Sequence, residues 1–349
     1  MTATQPSAGR LRLIIAVLVL AGACSATAGV PIVSEQTPTP AQPTRPPTAT
    51  PDPAIGDDAD PTPTPTQTPD SSIDVGLVAP DFAGMVTATG VPVAVLTGTA
   101  DGFLVRTPCG NQELISGGEP IESATVVIDP GHGGPVDTGA VGPTGLVERD
   151  INLTLSLALE SELADRGIPA ALTRTGDYPV LLSVRAAFAD QLGAELMVSI
   201  HHNSPIGDPS DTPGTEVFVQ SGSDSSARLG GLLYEEVTAA LATFDLAWTA
   251  APDAGVLRVL LPDGNDAYGM IRRPITPTAL VELGYLANPA EAALFATDEY
   301  IDVASSALAD AIEAHLVTDR PGTGFGNPPR MFRPDRAPGA DLCDEPLLE

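Results

Sequence analysis

The sequence predicts an α/β fold: a mostly parallel sheet covered by helices on both faces in three layers, preceded by a small β unit. Three observations predict it. From about residue 124 to 317, short apolar runs alternate with amphipathic stretches of helical period. Those apolar runs are near-continuous, the pattern of strands buried on both faces. Upstream, residues 79–120 hold four short runs of alternating character, separated by glycine-containing turns, as hairpins require.

Taken in order, the small β unit has runs at 85–89, 91–96, 102–106 and 112–115. Some 40 residues make a marginal core alone, so the unit is expected to pack on the domain that follows. A strand at 125–128 opens that domain. Ile151, Leu155, Leu159 and Leu163 then recur every four residues and define one helical face. Gly167, with Pro169 beyond it, ends that helix. A strand at 170–173 precedes a helix at 183–192, closed by Gly193. Strands follow at 196–200 and 215–219, then a long helix at 226–244 with Leu229, Leu233, Val237 and Leu241 in line. The segment 251–273 reads as a wall or lid over a cleft. After a strand at 280–283, Asn288-Pro-Ala-Glu291 combines an N-cap, a first-turn proline and a first-turn carboxylate, so a helix starts there. The last helix covers 298–316. His315 near its end reads as a surface residue compensating the helix dipole. The tail 319–349 is rich in Pro, Gly and Arg and is expected to be irregular.

The N-terminus reads as a targeting signal. Arg10 and Arg12 precede an apolar run at 13–23, about half of the roughly 20 residues needed to span a bilayer. Residues 1–23 are therefore expected to be a signal peptide. Leu20-Ala-Gly-Ala-Cys24 resembles a bacterial lipobox, whose cysteine is lipidated, although Ala21 stands where a larger aliphatic residue is usual. Residues 24–75 continue as a stalk of repeated Thr-Pro pairs that prefers extended polyproline geometry. This arrangement predicts a lipoprotein at the outer face of the cytoplasmic membrane. Cys109 and Cys343 remain, and in an oxidising compartment they either pair or stay as two thiols. The formal charge is -29 and the cationic side chains are all arginine, which argues against nucleic acid as a partner.

Chemistry gathers at strand ends. The chain has four histidines. His132 lies in Val127-Ile-Asp-Pro-Gly-His-Gly-Gly134, where an apolar run breaks into a glycine-rich turn suited to close approach by an ion. His201 and His202 end the apolar run of Val198-Ser-Ile-His-His-Asn203, and strand alternation sends them to opposite faces. Glu282 ends another apolar run, where an idle carboxylate would be costly to bury. Glu148 begins a helix and could equally serve its dipole. Two imidazoles and a carboxylate leave Zn²⁺ a fourth position for water, which is the catalytic arrangement. A further carboxylate nearby can move the proton.

The motifs Ile128-Asp-Pro-Gly-His-Gly-Gly134, Asp137-Thr-Gly-Ala140, Glu148, Leu172-Thr-Arg174 with Asp177, Arg185, Ser199-Ile-His-His-Asn203, Gly214-Thr-Glu216 and Val281-Glu-Leu-Gly-Tyr-Leu-Ala-Asn-Pro289 follow one another in that order. Together they resemble the zinc-dependent N-acetylmuramoyl-L-alanine amidases of the amidase_3 type, over residues 124 to about 317, which makes 121–318 the expected catalytic domain. The resemblance implies hydrolysis of the amide between muramic acid and L-alanine in peptidoglycan. It implies His132, Glu148 and His201 as zinc ligands and Glu282 as the catalytic acid–base. His202 stands where a small residue is usual, and Tyr285 where phenylalanine is common. His202 therefore leaves open which imidazole binds. Arg174 and Arg185 could position substrate or brace the sheet with Asp177. Three other readings stay in play: a zinc amidase or peptidase cutting a different stem-peptide bond, a wall-binding pseudoenzyme, and a structural lipoprotein whose stalk and β unit recruit partners.

Overall fold

The computed structural model describes residues 80–204, 207–326, 328–332 and 342–349, all within one unit. The expected signal peptide, the lipidated Cys24 and its stalk lie outside the described residues.

The small β unit is a five-stranded antiparallel sheet: β1 (Gly84–Thr87), β2 (Pro92–Thr99), β3 (Gly102–Arg106), β4 (Gln112–Ile115) and β5 (Gly118–Ile121), in the order β4-β3-β2-β1-β5. Four of these strands follow the sequence pattern. The fifth is an exposed edge strand on β1, and an edge strand with little to bury shows no apolar alternation. Met85, Val91, Val93, Val95, Val105 and Ile115 fill the unit's core.

The following elements are β6 (Val126–Pro130), α1 (Glu148–Asp165), β7 (Ala170–Leu172), α2 (Leu182–Leu192), β8 (Leu196–Asn203), β9 (Asp208–Ser210), β10 (Glu216–Val219), α3 (Asp224–Leu241), β11 (Trp248–Ala250), β12 (Gly255–Leu257), β13 (Val259–Leu260), α4 (Gly269–Arg272), β14 (Thr278–Tyr285), α5 (Pro289–Phe295) and α6 (Asp298–Val317). Six of the strands form the second sheet, in the order β12-β10-β14-β8-β6-β7, while β9 and β11 pair separately. Strands β14, β8, β6 and β7 are parallel, whereas β10 runs antiparallel to β14 and carries β12 with it. The sheet is thus mostly parallel, with a reversed edge.

Side chains alternate between its faces. Val126, Ile128, Val198, Ile200, Val281 and Leu283 pack with α1, α3 and α6 in one apolar layer. Val127, Met197, Phe218 and Leu280 face the opposite layer, with Phe188 of α2, Met270 and Ile271 of α4 and Ala94 of the small β unit. The sequence-predicted three layers are present, and the small unit completes one of them. Gln191 fastens this contact by donating to the carbonyls of Ala83 (3.1 Å) and Val95 (2.5 Å).

Helix ends follow their local signals. Gly193 caps α2 in the left-handed region at φ 66°. Asn288 caps α5 by accepting from the amides of Ala290 and Glu291. The Glu291 carboxylate does something else: it is fully buried and accepts from the amides of Thr249 (2.6 Å) and Tyr285 (2.7 Å).

One local expectation needs correcting, and two are sharpened. His315 is not at the surface but 7% exposed, and burial pushes its imidazole down to about 4. The segment 251–273 is a wall of regular elements, β12, β13 and α4, instead of a loose lid. The tail is also more ordered than its composition suggests: β15 (Arg330–Met331) pairs in parallel with β13. Residues 342–349 return to the small β unit, where Cys343 is bridged to Cys109 and Leu348 enters the core at 3% exposed.

Candidate metal centre and active site

The end of β6 leads into a tight turn at Gly131–Gly134. His132 has φ 63°, the single non-glycine residue with positive φ among the described residues. Such a conformation costs on the order of 1–3 kcal/mol and persists where the surroundings enforce it. Here the enforcement is visible. Arg174, fully buried, donates to the carbonyls of Pro130 (3.0 Å), Gly131 (2.9 Å) and Arg149 (2.7 Å). Arg185 donates to the carbonyls of Pro130 (2.8 Å) and His132 (2.8 Å) and to Asp129 (2.8 Å). Both arginines therefore brace the turn. The carboxylate partner is Asp129, while Asp177 instead accepts from the Gly134 amide at 2.8 Å. Burial opposes the Asp129 charge, but Arg185, Ser199 and Thr173 hold its carboxyl below the usual range. Burial and the nearby Arg185 charge push Arg174 down to about 10.

Glu148 starts α1 and is held by the loop before it. Its own amide donates to the Ala140 carbonyl (2.8 Å) and its Oε2 accepts from the Ala140 amide (2.8 Å). Its Oε1 lies 3.1 Å from His132 Nε2 and 3.0 Å from His201 Nδ1. Ligand atoms of His132, Glu148 and His201 all fall within 4.8 Å of one another, so these three groups could hold a metal ion. Two glycines make room. A Cβ on Gly131 would lie 2.3 Å from the His201 ring, and one on Gly139 would lie 2.5 Å from Glu148 Oε2.

The charged groups of this cluster shift one another. Burial disfavours a charged His132, yet hydrogen bonds with Asp137 (2.7 Å) and Glu148 raise its imidazole to about 10. Burial alone would also raise Glu148, but His132 and His201 hold it well below the usual carboxylate range. Asp137, quoted from the sequence without a role, sits on the far ring nitrogen of His132. A carboxylate on the far ring nitrogen fixes the tautomer and orientation of a ligating histidine. Its signal was its place five residues after His132 in the same turn.

Glu282 lies beside His201 in register on β14, and Glu216 of β10 lies beside Glu282. The three side chains therefore share one face of the sheet. Glu282 Oε2 is buried with no hydrogen-bond partner among the described residues. An unsatisfied buried polar atom costs about 1–3 kcal/mol. Burial, then repulsion from Glu148 and Glu216, pushes Glu282 well above the usual range. Glu216 accepts from Asn203 (2.7 Å) and Arg330 (2.6 Å).

His202 points the other way. It is fully buried, with Nδ1 at 2.8 Å from Asn152 and Nε2 at 2.6 Å from the Tyr300 hydroxyl. Its ring packs edge-on to Phe295. Burial lowers its imidazole to about 3, so it stays neutral. Both ring nitrogens are occupied, and the ring is on the opposite face from Glu282 and His201.

Residues 126–314 match the family model described as N-acetylmuramoyl-L-alanine amidase, Amidase_3. The chain belongs to this family. The uncharacterized protein YqiI of Bacillus subtilis is 35% identical over 199 residues, which cover 56% of this chain and 87% of that protein. The N-acetylmuramoyl-L-alanine amidase AmiA of Escherichia coli is 30% identical over 231 residues, covering 58% of this chain and 78% of AmiA. Among solved structures, N-acetylmuramoyl-L-alanine amidase AmiC2 of Nostoc punctiforme is 31% identical, with a TM-score of 0.46, over 55% of this chain and 97% of that one.

Proposed function

We propose that this amidase works with a zinc ion held by His132, Glu148 and His201, and that Glu282 moves the proton. The reaction is hydrolysis of the amide between N-acetylmuramic acid and L-alanine in peptidoglycan. The observation that carries the reading is the unpartnered Glu282 Oε2 on the same sheet face as the His132–Glu148–His201 cluster.

Two imidazoles and one carboxylate are a donor set suited to zinc with one position left open. Glu148 Oε1 lies 3.1 Å from His132 Nε2 and 3.0 Å from His201 Nδ1, so the three donors are gathered tightly enough to share one ion. When bound, zinc supplies Lewis acidity: it polarises the scissile carbonyl and acidifies a water beside it. Glu282 accepts a proton from the attacking water at its buried Oε2. As the C–N bond breaks and the C–O bond forms, the same oxygen returns the proton to the leaving amine of L-alanine. A carboxyl raised by burial and by Glu148 and Glu216 is suited to giving that proton back. Asp137 holds the His132 ring in place, and Arg174 and Arg185 hold the turn beneath it.

The chain acts at the cell envelope in this reading, tethered through a lipid on Cys24 with residues 24–75 as a spacer. Mass spectrometry of the mature N-terminus tests the lipid: a diacylglycerol-sized addition on Cys24 supports it, and an unmodified N-terminus removes it.

For the reaction, purified protein is expected to hold about one zinc per chain and to release stem peptides with a free L-alanine amine from sacculi. Glu282→Gln is expected to keep the zinc and stop the release. Products cut between amino acids would overturn the bond assignment, and a metal-free protein with full activity would overturn the zinc.

A further inference from the structure

The row His201–Glu282–Glu216 does not end at the family-matched domain. Its next member is Arg330, which lies beyond residue 314, where the family match stops. Arg330 Nη2 donates to Glu216 Oε1 at 2.6 Å. The same Nη2 also donates to Asp253 Oδ1 (2.5 Å), and Nε donates to Asp253 Oδ2 (2.8 Å). Glu216 sits next to Glu282 in register, one strand spacing of about 4.8 Å away. Through Glu216 the guanidinium is one residue removed from Glu282.

Its placement is built. The tail is pinned along the β12–β13 edge: Gly324 accepts from the Val256 amide (2.7 Å), and the amides of Gly326, Arg330 and Phe332 donate to Val256 (2.8 Å), Arg258 (2.9 Å) and Leu260 (3.0 Å). The two carboxylates on Arg330 differ in kind. The Glu216 side chain is 3% exposed, so this partner is fixed. The Asp253 side chain is 52% exposed. An ion pair exposed to that degree contributes about 0–1 kcal/mol and exchanges readily. Arg174 and Arg185 cannot play the same part, because both lie buried beneath the turn with donors spent on backbone carbonyls and Asp129.

The substrate also has a need here. The chain carries a formal charge of -29, and Glu148, Glu216 and Glu282 line the site. A peptide bearing carboxylates is repelled by such a surface unless a cation meets it. We propose that Arg330 is a substrate-binding residue which takes a carboxylate of the peptidoglycan stem peptide, in the place now filled by Asp253. Glu216 keeps the guanidinium anchored while Asp253 gives way. A bidentate carboxylate is the ligand this edge of arginine recognises best, and Asp253 marks where it fits. The inference rests on the amidase reading of the same site.

The test compares two soluble muropeptides that differ only in whether the stem carboxyls are free or amidated. Wild-type protein is expected to prefer the free form in kcat/KM. Arg330→Ala is expected to abolish the preference, raising KM for the free form about tenfold more than KM for the amidated form, the size of one charge-assisted pair. Arg330→Lys is expected to restore part of the preference. The ratio between substrates is read within one variant, so a partly unfolded preparation does not disturb it. An unchanged preference in Arg330→Ala, or an equal loss on both substrates, would overturn the proposal and leave the amidase reading intact. Failure of wild-type protein to cut either substrate, or sacculi, would remove the amidase reading itself.

Discussion

The two faces of β8 treat neighbouring histidines in opposite ways. On one face His201 meets the Glu148 carboxylate and stands beside Glu282, an acid with an unpartnered oxygen. On the other, His202 has both ring nitrogens occupied by Asn152 and Tyr300 and is packed against Phe295. The first face gathers imidazoles and carboxylates that shift one another's protonation. The second removes charge altogether. One residue of strand alternation thus separates chemistry from packing. The partners of the two imidazoles differ in kind: His202 meets a neutral amide and a hydroxyl, whereas His201 meets a carboxylate.

The comparison breaks most sharply at the two histidines themselves. His201→Ala is expected to lose stoichiometric zinc and with it at least about a hundredfold in activity, while His202→Ala keeps zinc and loses melting temperature; metal analysis and calorimetry on both variants decide this. Zinc retained in the first and lost in the second would reverse the assignment. Glu282→Gln is expected to lower kcat by about 10²–10⁴ with zinc unchanged, measured on muropeptides. Asp137→Asn keeps the ring but weakens its orientation, so zinc affinity is expected to fall about 10–100-fold, read by chelator competition. On the quiet face, Tyr300→Phe removes the partner of a buried nitrogen and is expected to cost about 1–3 kcal/mol in denaturant unfolding, with activity near wild type. A pH series sharpens the same face. His202 is held at about 3 in the fold, against an ordinary value of 6.5. Between those values the unfolded chain binds a proton that the folded one refuses, so this contribution is present above about pH 6.5 and is lost as pH falls. The slope is up to roughly 1.4 kcal/mol per pH unit, and His202→Gln is expected to flatten it.

Much of this was legible in the sequence. Near-continuous apolar strands between helical periods gave the three layers, and Gly193 and Asn288 marked helix ends by chemistry that works locally. His132, Glu148, His201 and Glu282 stood out because imidazoles and carboxylates at strand ends have few other uses. Strand direction was not legible: Val217, Phe218 and Val219 are buried in β10 whichever way it runs, so its reversal left no mark. Nor was Arg330, whose partner Glu216 is 114 positions away and whose strand β15 has two residues. His315 was misread because its place near a helix end suggested solvent, whereas α3 covers it, with Ser225 and Arg228 at hand.

Leu348 has a consequence for the order in which this molecule assembles. It fills the core of the small β unit together with Met85 and Ile115, and Glu345 and Glu349 bind the same unit at Asn111 and Ser116. These contacts span more than 230 positions, as does the disulfide at 234. Closing so long a loop is slow unless the intervening chain has already folded and brought its ends together. The amidase domain lies in that interval. The unit that comes first along the chain is therefore expected to be completed last, on a domain that must already be in place.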